Sequence, residues 1–334
     1  MPKTIKRIDF HTHILPPELP DLGKRYGGER WPSIVRVNEQ TAHIMVQGNV
    51  FRKIGSDTWD PAKKIERMQL DGVDMQVLSP IPIGLCYWAP VEGAREMARL
   101  QNEYNADLVR QHPTRFIGLG TVPLQNAEAA IEEMDYCMHK LGLKGIEIGS
   151  NVNGLGLEDP ALSPFFEMAE RWNVPLFIHP YDMVAKERTA KAGLTYTVAM
   201  PLELGLSAAN FIMSGMFEKF PKLKVCLAHG GGALPFILPR MEQGWHVFPD
   251  TRKTPYPPSH YAKHFYYDVL VYDSMNVDYL NRLVGHERLL MGTDYPFAIQ
   301  ETPPGKSVLE TESLTEEQKT AIMGGNAMEF LQIS

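Results

Sequence analysis

Eight short apolar segments, each of strand length, recur through the 334-residue chain with helix-length stretches between most of them: RIDFHTH (7–13), DMQVLSPI (74–81), RFIGLGTVP (115–123), GIEIGS (145–150), VPLFIHP (174–180), KVCLAHGG (224–231), FYYDVLV (265–271) and RLLMGTDYP (288–296). In the gaps apolar residues return at helical spacing, as in Met97/Leu100/Tyr104/Leu108 and Ile131/Met134/Cys137/Met138/Leu141. Strands that alternate with helices pair in parallel through crossover connections. Because both faces of each strand read as apolar, each needs cover on both sides. The fold expected is therefore α/β, a (β/α)8 TIM-type barrel, with a doubly wound open sheet as the alternative. A barrel demands that its chemistry stand at the carboxyl ends of the strands.

Residues 14–59 are too many for a strand-to-helix loop, and TAHIMVQGNVFRKI (41–54) reads as short strands about a Gly48-Asn49 turn. The expectation is a small β-rich insertion over the barrel mouth, within a single domain spanning 1–334. The Pro-rich PDTRKTPYPPSH (249–260) reads as a surface crossover before the seventh strand.

Apolar residues make up 44% and charged residues 22%, enough for a large core. The net charge of −7, with no dense Lys/Arg block, offers no footprint for nucleic acid or anionic lipid. The opening MPKTIKRIDF is too short and too charged for a secretory h-region, and no apolar run is long enough for a membrane span. Three cysteines, Cys86, Cys137 and Cys226, would leave one unpaired in an oxidising compartment and none has CxxC spacing, so a reducing cytoplasm is expected.

Polar residues punctuate the strand ends: His11 and His13 after the first, His179 after the fifth, His229 after the sixth and Asp294 after the eighth. Residues i and i+2 of a strand face the same side, which sets His11 and His13 about 6–7 Å apart at Cα. Singly, each has an ordinary explanation, as a solvated histidine, a histidine before a turn, a glycine turn (HGGG) or a turn-capping aspartate. Together they fall at the one end of a barrel where ligands collect. The set predicts one divalent ion per chain, Zn²⁺ first and Mn²⁺ second, on His11, His13, His179 and Asp294, with an open position left for water. A second metal would ask for a bridging group from strand four, where GIEIGS offers only Glu147 and Lys144 precedes the strand.

HTHILP, HPYDM, AHGGG and MGTDYPF, in this order over nearly the whole chain, resemble the amidohydrolase superfamily. Residues 51–68 (FRKI…WDPAKKIERM), 199–201 (AMP) and 217–236 (FEKFPKLKVCLAHGGGALPF) narrow the resemblance to its decarboxylase branch. That resemblance implies a non-oxidative carboxy-lyase without organic cofactor. His229 would take or return a proton, and Asp294 would be catalytic as well as a ligand. Arg52 and Arg240 would hold the carboxylate of a small substrate, Arg240 reaching in from the neighbouring subunit of a homodimer. A guanidinium fork matches a carboxylate. The substrate would be an unsaturated, muconate-semialdehyde-like carboxylate or a hydroxyaromatic one, in the catabolism of aromatic compounds.

The chain departs from the branch in its pocket wall: KAGLTY (191–196) replaces bulky tryptophans, Tyr181 stands for a tryptophan, and Val46, Gln47, Gly48 and Asn49 carry no charge where the branch has a lysine. Trp88, Tyr87, Tyr181 and Phe297 are the aromatics expected against the substrate. A hydrolase of C–C, C–N or C–O bonds, or a hydratase, would use the same ligand set, and a barrel that binds metal without turnover is the non-enzymatic alternative.

Overall fold

The computed structural model describes residues 7–333. Its strands, in chain order, are β1 (Ile8–Ile14), β2 (Ser33–Arg36), β3 (Thr41–Val46), β4 (Asn49–Gly55), β5 (Met75–Pro80), β6 (Phe116–Gly118), β7 (Ile146–Gly149), β8 (Asn151–Val152), β9 (Leu155–Gly156), β10 (Leu176–His179), β11 (Val225–Leu227), β12 (Tyr266–Asp268) and β13 (Leu289–Leu290). In one parallel run β1, β5 and β6 are neighbours, and in a second the order is β7, β10, β11, β12, β13. Two parallel bridges join the runs, Gly120 to Ile146 and Thr12 to Tyr295. Eight strands thus return on themselves in a (β/α)8 barrel. The open sheet is ruled out, since it would leave two unpaired edges where these bridges stand.

Every residue of the eight barrel strands is buried, as strands packed on both faces require. Phe10 meets Phe177 edge-on at 5.2 Å and Phe330 at 5.5 Å between ring centroids. The surrounding helices show the expected period: Val91–Gln111 buries Ala94, Met97, Ala98 and Leu108. The same helix turns Asn102 and Asn105 inward, where their amides donate to the carbonyls of Thr121 and Leu119 and tie helix to strand.

β2, β3 and β4 form a separate antiparallel sheet. Its β3–β4 turn lies one residue earlier than the sequence suggests: Val46 pairs with Asn49, and Gln47 (φ 50°) and Gly48 (φ 74°) are the two turn residues. A tight two-residue turn needs positive φ at both positions, which Gly48 accepts freely and Gln47 must adopt. Ala42, Ile44 and Ile54 of this sheet pack with Leu15, Ile81 and Phe297, which follow β1, β5 and β13. The sheet is therefore seated on the carboxyl-terminal face. The crossover before β12 runs through a short turn at Pro249–Thr251 and a short helix at Pro258–Ala262.

Ile44 is fully buried at this seat. Ile44→Ala is expected to cost about 2–5 kcal/mol in urea denaturation. A loss well under about 1 kcal/mol would mean that the sheet does not unfold together with the barrel.

Candidate metal centre

The ligand set assembles at the carboxyl ends of β1, β10 and β13. β1 departs from regular pairing between Asp9 and Thr12, the stretch that holds His11. The Nε2 atoms of His11 and His13 lie 3.1 Å apart. Asp294 Oδ1 is 3.2 Å from Nε2 of His13 and 3.5 Å from Nε2 of His11. With His179, the four ligand atoms fall within 4.8 Å of one another, and all four residues are buried.

The tautomers follow from what the other ring nitrogens touch. Nδ1–H of His11 donates to Asp268 Oδ2 at 2.7 Å, that of His13 to the carbonyl of Pro80 at 2.8 Å, and that of His179 to the carbonyl of Pro180 at 3.0 Å. In the neutral form that ligates a metal, each histidine would therefore turn the lone pair of Nε2 towards the same point. Nε2 of His179 and Oδ1 of Asp294 are buried without a hydrogen-bond partner among the described residues. Lone pairs packed this closely repel unless a cation sits among them, so the site fits a divalent ion with three imidazoles and one carboxylate.

Burial opposes charge on every member of the set, and neighbours decide the outcome. At His11 the hydrogen bond to Asp268 and the nearby carboxylates outweigh burial and lift the pKa to about 9. At His13 burial dominates despite the contact with Asp294 and lowers it to about 4, and His179 is pushed well below the usual histidine range. Asp294 is drawn well below the carboxylate range, since its His13 contact and the surrounding imidazoles outweigh burial. Glu147, 4.0 Å from Nδ1 of His13, stands on the side away from the ligand atoms. Burial pushes its pKa to about 8, and both its oxygens lack partners among the described residues.

Asp268 was not singled out from the sequence. The available signal is a carboxylate in the middle of FYYDVLV, the seventh apolar strand. Besides fixing His11, its Oδ1 accepts the N–H groups of Gly230 and Leu270, both at 3.1 Å, which locks the backbone after His229.

His229 begins a run of left-handed backbone, with φ of 50° there and 60°, 76° and 60° at Gly230, Gly231 and Gly232. A Cβ on Gly232 would stand 2.2 Å from the carbonyl oxygen of Pro201, so the glycines serve a tight, close-packed turn. That turn stacks the His229 ring on His11, 5.3 Å between centroids, and leaves its Nε2 3.9 Å from Asp294 Oδ2. This Nε2 has no hydrogen-bond partner among the described residues, and burial lowers the His229 pKa. Asp294 too has positive φ, 65°. Two non-glycine residues held in this region at one site are strain that the surrounding packing must overdetermine.

Two cavities meet at the ligands. One, of about 510 Å³, is lined by His229, Phe236, Val271 and Tyr279; the other, of about 410 Å³, by Arg52, Trp88, His179, Tyr181 and Phe297. Asp294, Tyr196, Met200 and Ile299 border both. Arg52 lies over the Phe297 ring at 4.0 Å. Tyr87, expected against substrate, is instead a core residue: it is buried, and its hydroxyl accepts from the N–H of Gly149 at 3.0 Å. Arg240 is exposed on the helix Leu234–Val247 and borders neither cavity.

A closed (β/α)8 barrel carrying a His/Asp metal site at the carboxyl ends of its strands is the class of protein defined by fold and site. The chain belongs to the amidohydrolase family, whose profile matches residues 8–333, and to its decarboxylase branch. It is 42% identical over 327 residues to 2-amino-3-carboxymuconate-6-semialdehyde decarboxylase of Dictyostelium discoideum, covering 97% of this chain and 91% of the relative. Among solved structures it is similar to 5-carboxyvanillate decarboxylase from Sphingomonas paucimobilis, with a TM-score of 0.83 at 24% identity over 99% of this chain and 100% of that one. It is likewise similar to a dihydroxybenzoic acid decarboxylase from Polaromonas sp. JS666 with bound manganese and the inhibitor 2-nitroresorcinol, with a TM-score of 0.79 at 22% identity over 98% and 97% of the two chains. These two structural likenesses bear on the fold.

Asp268→Asn keeps the size of the side chain and removes the carboxylate that fixes His11. It is expected to weaken metal binding about 10–100-fold, read by competition against a chromogenic chelator. Unchanged affinity would show that the His11 orientation does not depend on Asp268.

Proposed function

We propose that the chain is a metal-dependent, non-oxidative decarboxylase of an unsaturated, muconate-semialdehyde-like or hydroxyaromatic carboxylate. The observation that carries this reading is the pairing, around one ligand set, of a buried, unpartnered imidazole nitrogen (His229) with a guanidinium that has no ion pair among the described residues (Arg52). Water activation alone would not call for that guanidinium.

His11, His13, His179 and Asp294 hold the cation in this reading. When bound, a divalent ion supplies Lewis-acid stabilisation of charge developing on a substrate oxygen. Arg52 takes the carboxylate through its in-plane N–H groups, while the ring of Phe297 holds its face. Nε2 of His229 carries the proton that the substrate carbon receives. The C–C bond to the carboxylate breaks, CO2 leaves, and the electron pair left on carbon takes that proton. Trp88, Tyr181, Phe297 and Tyr196 wall the cavity and exclude water.

Zn²⁺ is the proposed ion, with Mn²⁺ the alternative on the precedent of the Polaromonas enzyme. The proposed assembly is a homodimer in which Arg240 completes the neighbouring site. Its support is that Arg240 is exposed and outside both cavities of its own chain, and that Phe236 of the same helix is 86% exposed, as Leu202 and Leu206 are exposed on the helix Met200–Met213 packed against it. The proposed setting is cytoplasmic aromatic-compound catabolism: the three cysteines are all free and buried, and no helix among the described residues is long and apolar enough to cross a membrane.

Turnover in D2O enriched in ¹⁸O tests the reaction. Release of CO2 with a solvent deuteron on the vacated carbon and no ¹⁸O in the product is expected; ¹⁸O in the product would replace this reading with hydrolysis or hydration. His229→Ala should keep about one metal ion per chain by elemental analysis and lose at least about 100-fold in kcat.

The trans arrangement has its own measurement. Arg52→Ala and Arg240→Ala chains, each inactive alone, should regain about a quarter of wild-type activity when mixed and allowed to exchange, since one site of each heterodimer then has both arginines. Mixtures that stay inactive, with heterodimers present by mass spectrometry, would place Arg240 in its own chain's site or outside the chemistry.

A further inference from the structure

The 410 Å³ cavity holds a second arginine that neither strand pattern nor motif pointed to: Arg30, on the loop between the short helix Leu22–Tyr26 and β2. Its neighbourhood fixes it. Trp31 is buried, donates its indole N–H to the carbonyl of Gly27 at 2.8 Å, and packs on Trp88 at 4.9 Å between centroids. The carbonyl of Glu29 accepts from the N–H of Gln47 at 3.1 Å, tying this loop to the tip of the β3–β4 hairpin.

The guanidinium of Arg30 lies 4.8 Å from the centroid of the Trp88 ring, much as Arg52 lies on Phe297. Stacking on an aromatic face occupies the plane of a guanidinium and leaves its five edge N–H groups free. Neither guanidinium makes a hydrogen bond or ion pair with a described residue, whereas Lys186, the other cation lining this cavity, is paired with Asp182. Asp294 is directed to the ligand set. What remains is two unpaired guanidiniums lining one cavity, with the uncharged Val46 in its wall.

We infer that Arg30 is a specificity-determining residue that takes a second anionic group of the substrate, separate from the carboxylate lost as CO2. The inference rests on the decarboxylase reading for which group leaves, but concerns which acids the cavity selects. Arg52 is assigned to the departing carboxylate, so a guanidinium on a different loop of the same cavity, over a different aromatic ring, is matched by a second acidic group of the substrate. Because Arg30 is exposed to water, its effect is a preference between acids and not an absolute requirement.

The test compares 5-carboxysalicylate with salicylate, which differ by one carboxylate, on the metal-loaded protein, by calorimetric titration and by CO2 release. Wild type is expected to bind the diacid at least about tenfold more tightly, a ratio that Arg30→Gln should abolish and Arg30→Lys partly restore. Arg52→Gln should weaken both acids together. Equal affinity of wild type for the two acids, binding of neither, or a preference that survives Arg30→Gln overturns the assignment. If the preference is found and depends on Arg30 but wild type releases CO2 from no carboxylate, the decarboxylase reading fails and the role of Arg30 stands.

Discussion

The structure depends on the seam where the first strand meets the last. Asp9 and Thr293, 284 positions apart, are joined twice: the backbone N–H of Thr293 donates to Asp9 at 3.0 Å and its hydroxyl at 2.6 Å. Asp294 N–H then donates to the His11 carbonyl and His13 N–H to the Tyr295 carbonyl, each at 2.8 Å. Closing the barrel and bringing Asp294 to His11 and His13 are thus one event. Behind the seam the ammonium of Lys64 is fully buried, 4.4 Å from the Tyr295 ring centroid, and the Tyr295 hydroxyl donates to Asp57 at 3.0 Å. Burial outweighs the neighbouring charges there, moving Asp9 up to about 7 and Lys64 down to about 7. Such a cluster is costly to desolvate and adds little net stability by itself. Its effect is to fix the register of the two strands that carry ligands.

From that seam outward, each ligand is held by a second contact as well as by its own strand. Asp268, Pro80 and Pro180 each take the Nδ1 proton of one histidine, so the three rings cannot turn their lone pairs away from the common point. Left-handed backbone at His229 and Asp294 acts in the same direction, since the packing that enforces it also removes alternative positions for these side chains. The site is preorganised by geometry set at a distance from the ligand atoms.

This also explains which features were legible in the sequence. Strand-helix alternation and polar residues at the ends of apolar strands are local patterns, and they carried the barrel, His11, His13, His179, His229 and Asp294. Closure over an open sheet was not local, because it rests on two bridges between distant residues. Asp268 was hidden inside a segment read as plain strand, although a carboxylate among FYYDVLV has to be partnered when buried. Tyr87 departs in the other direction: its sequence neighbours suggest a pocket-lining aromatic, whereas the turn before Val91–Gln111 points it at Gly149. Arg30 lies in an aperiodic loop, and only tertiary packing against Trp88 brings it to the cavity.

The division of the site into two cavities gives these parts a common logic. His229 borders one cavity and Arg52 with Arg30 the other, and Asp294 belongs to both. In the proposed reading, a substrate held by its acidic groups on the arginine side would present its reacting carbon at the junction, within reach of the imidazole from the opposite side. On that reading recognition and proton delivery would draw on different segments: the 14–59 insertion for the first, the turn after β11 for the second. Changes in the insertion, where Val46, Arg30 and Arg52 all line the cavity, would on that reading redraw which acid is held without moving His11, His13, His179, His229 or Asp294.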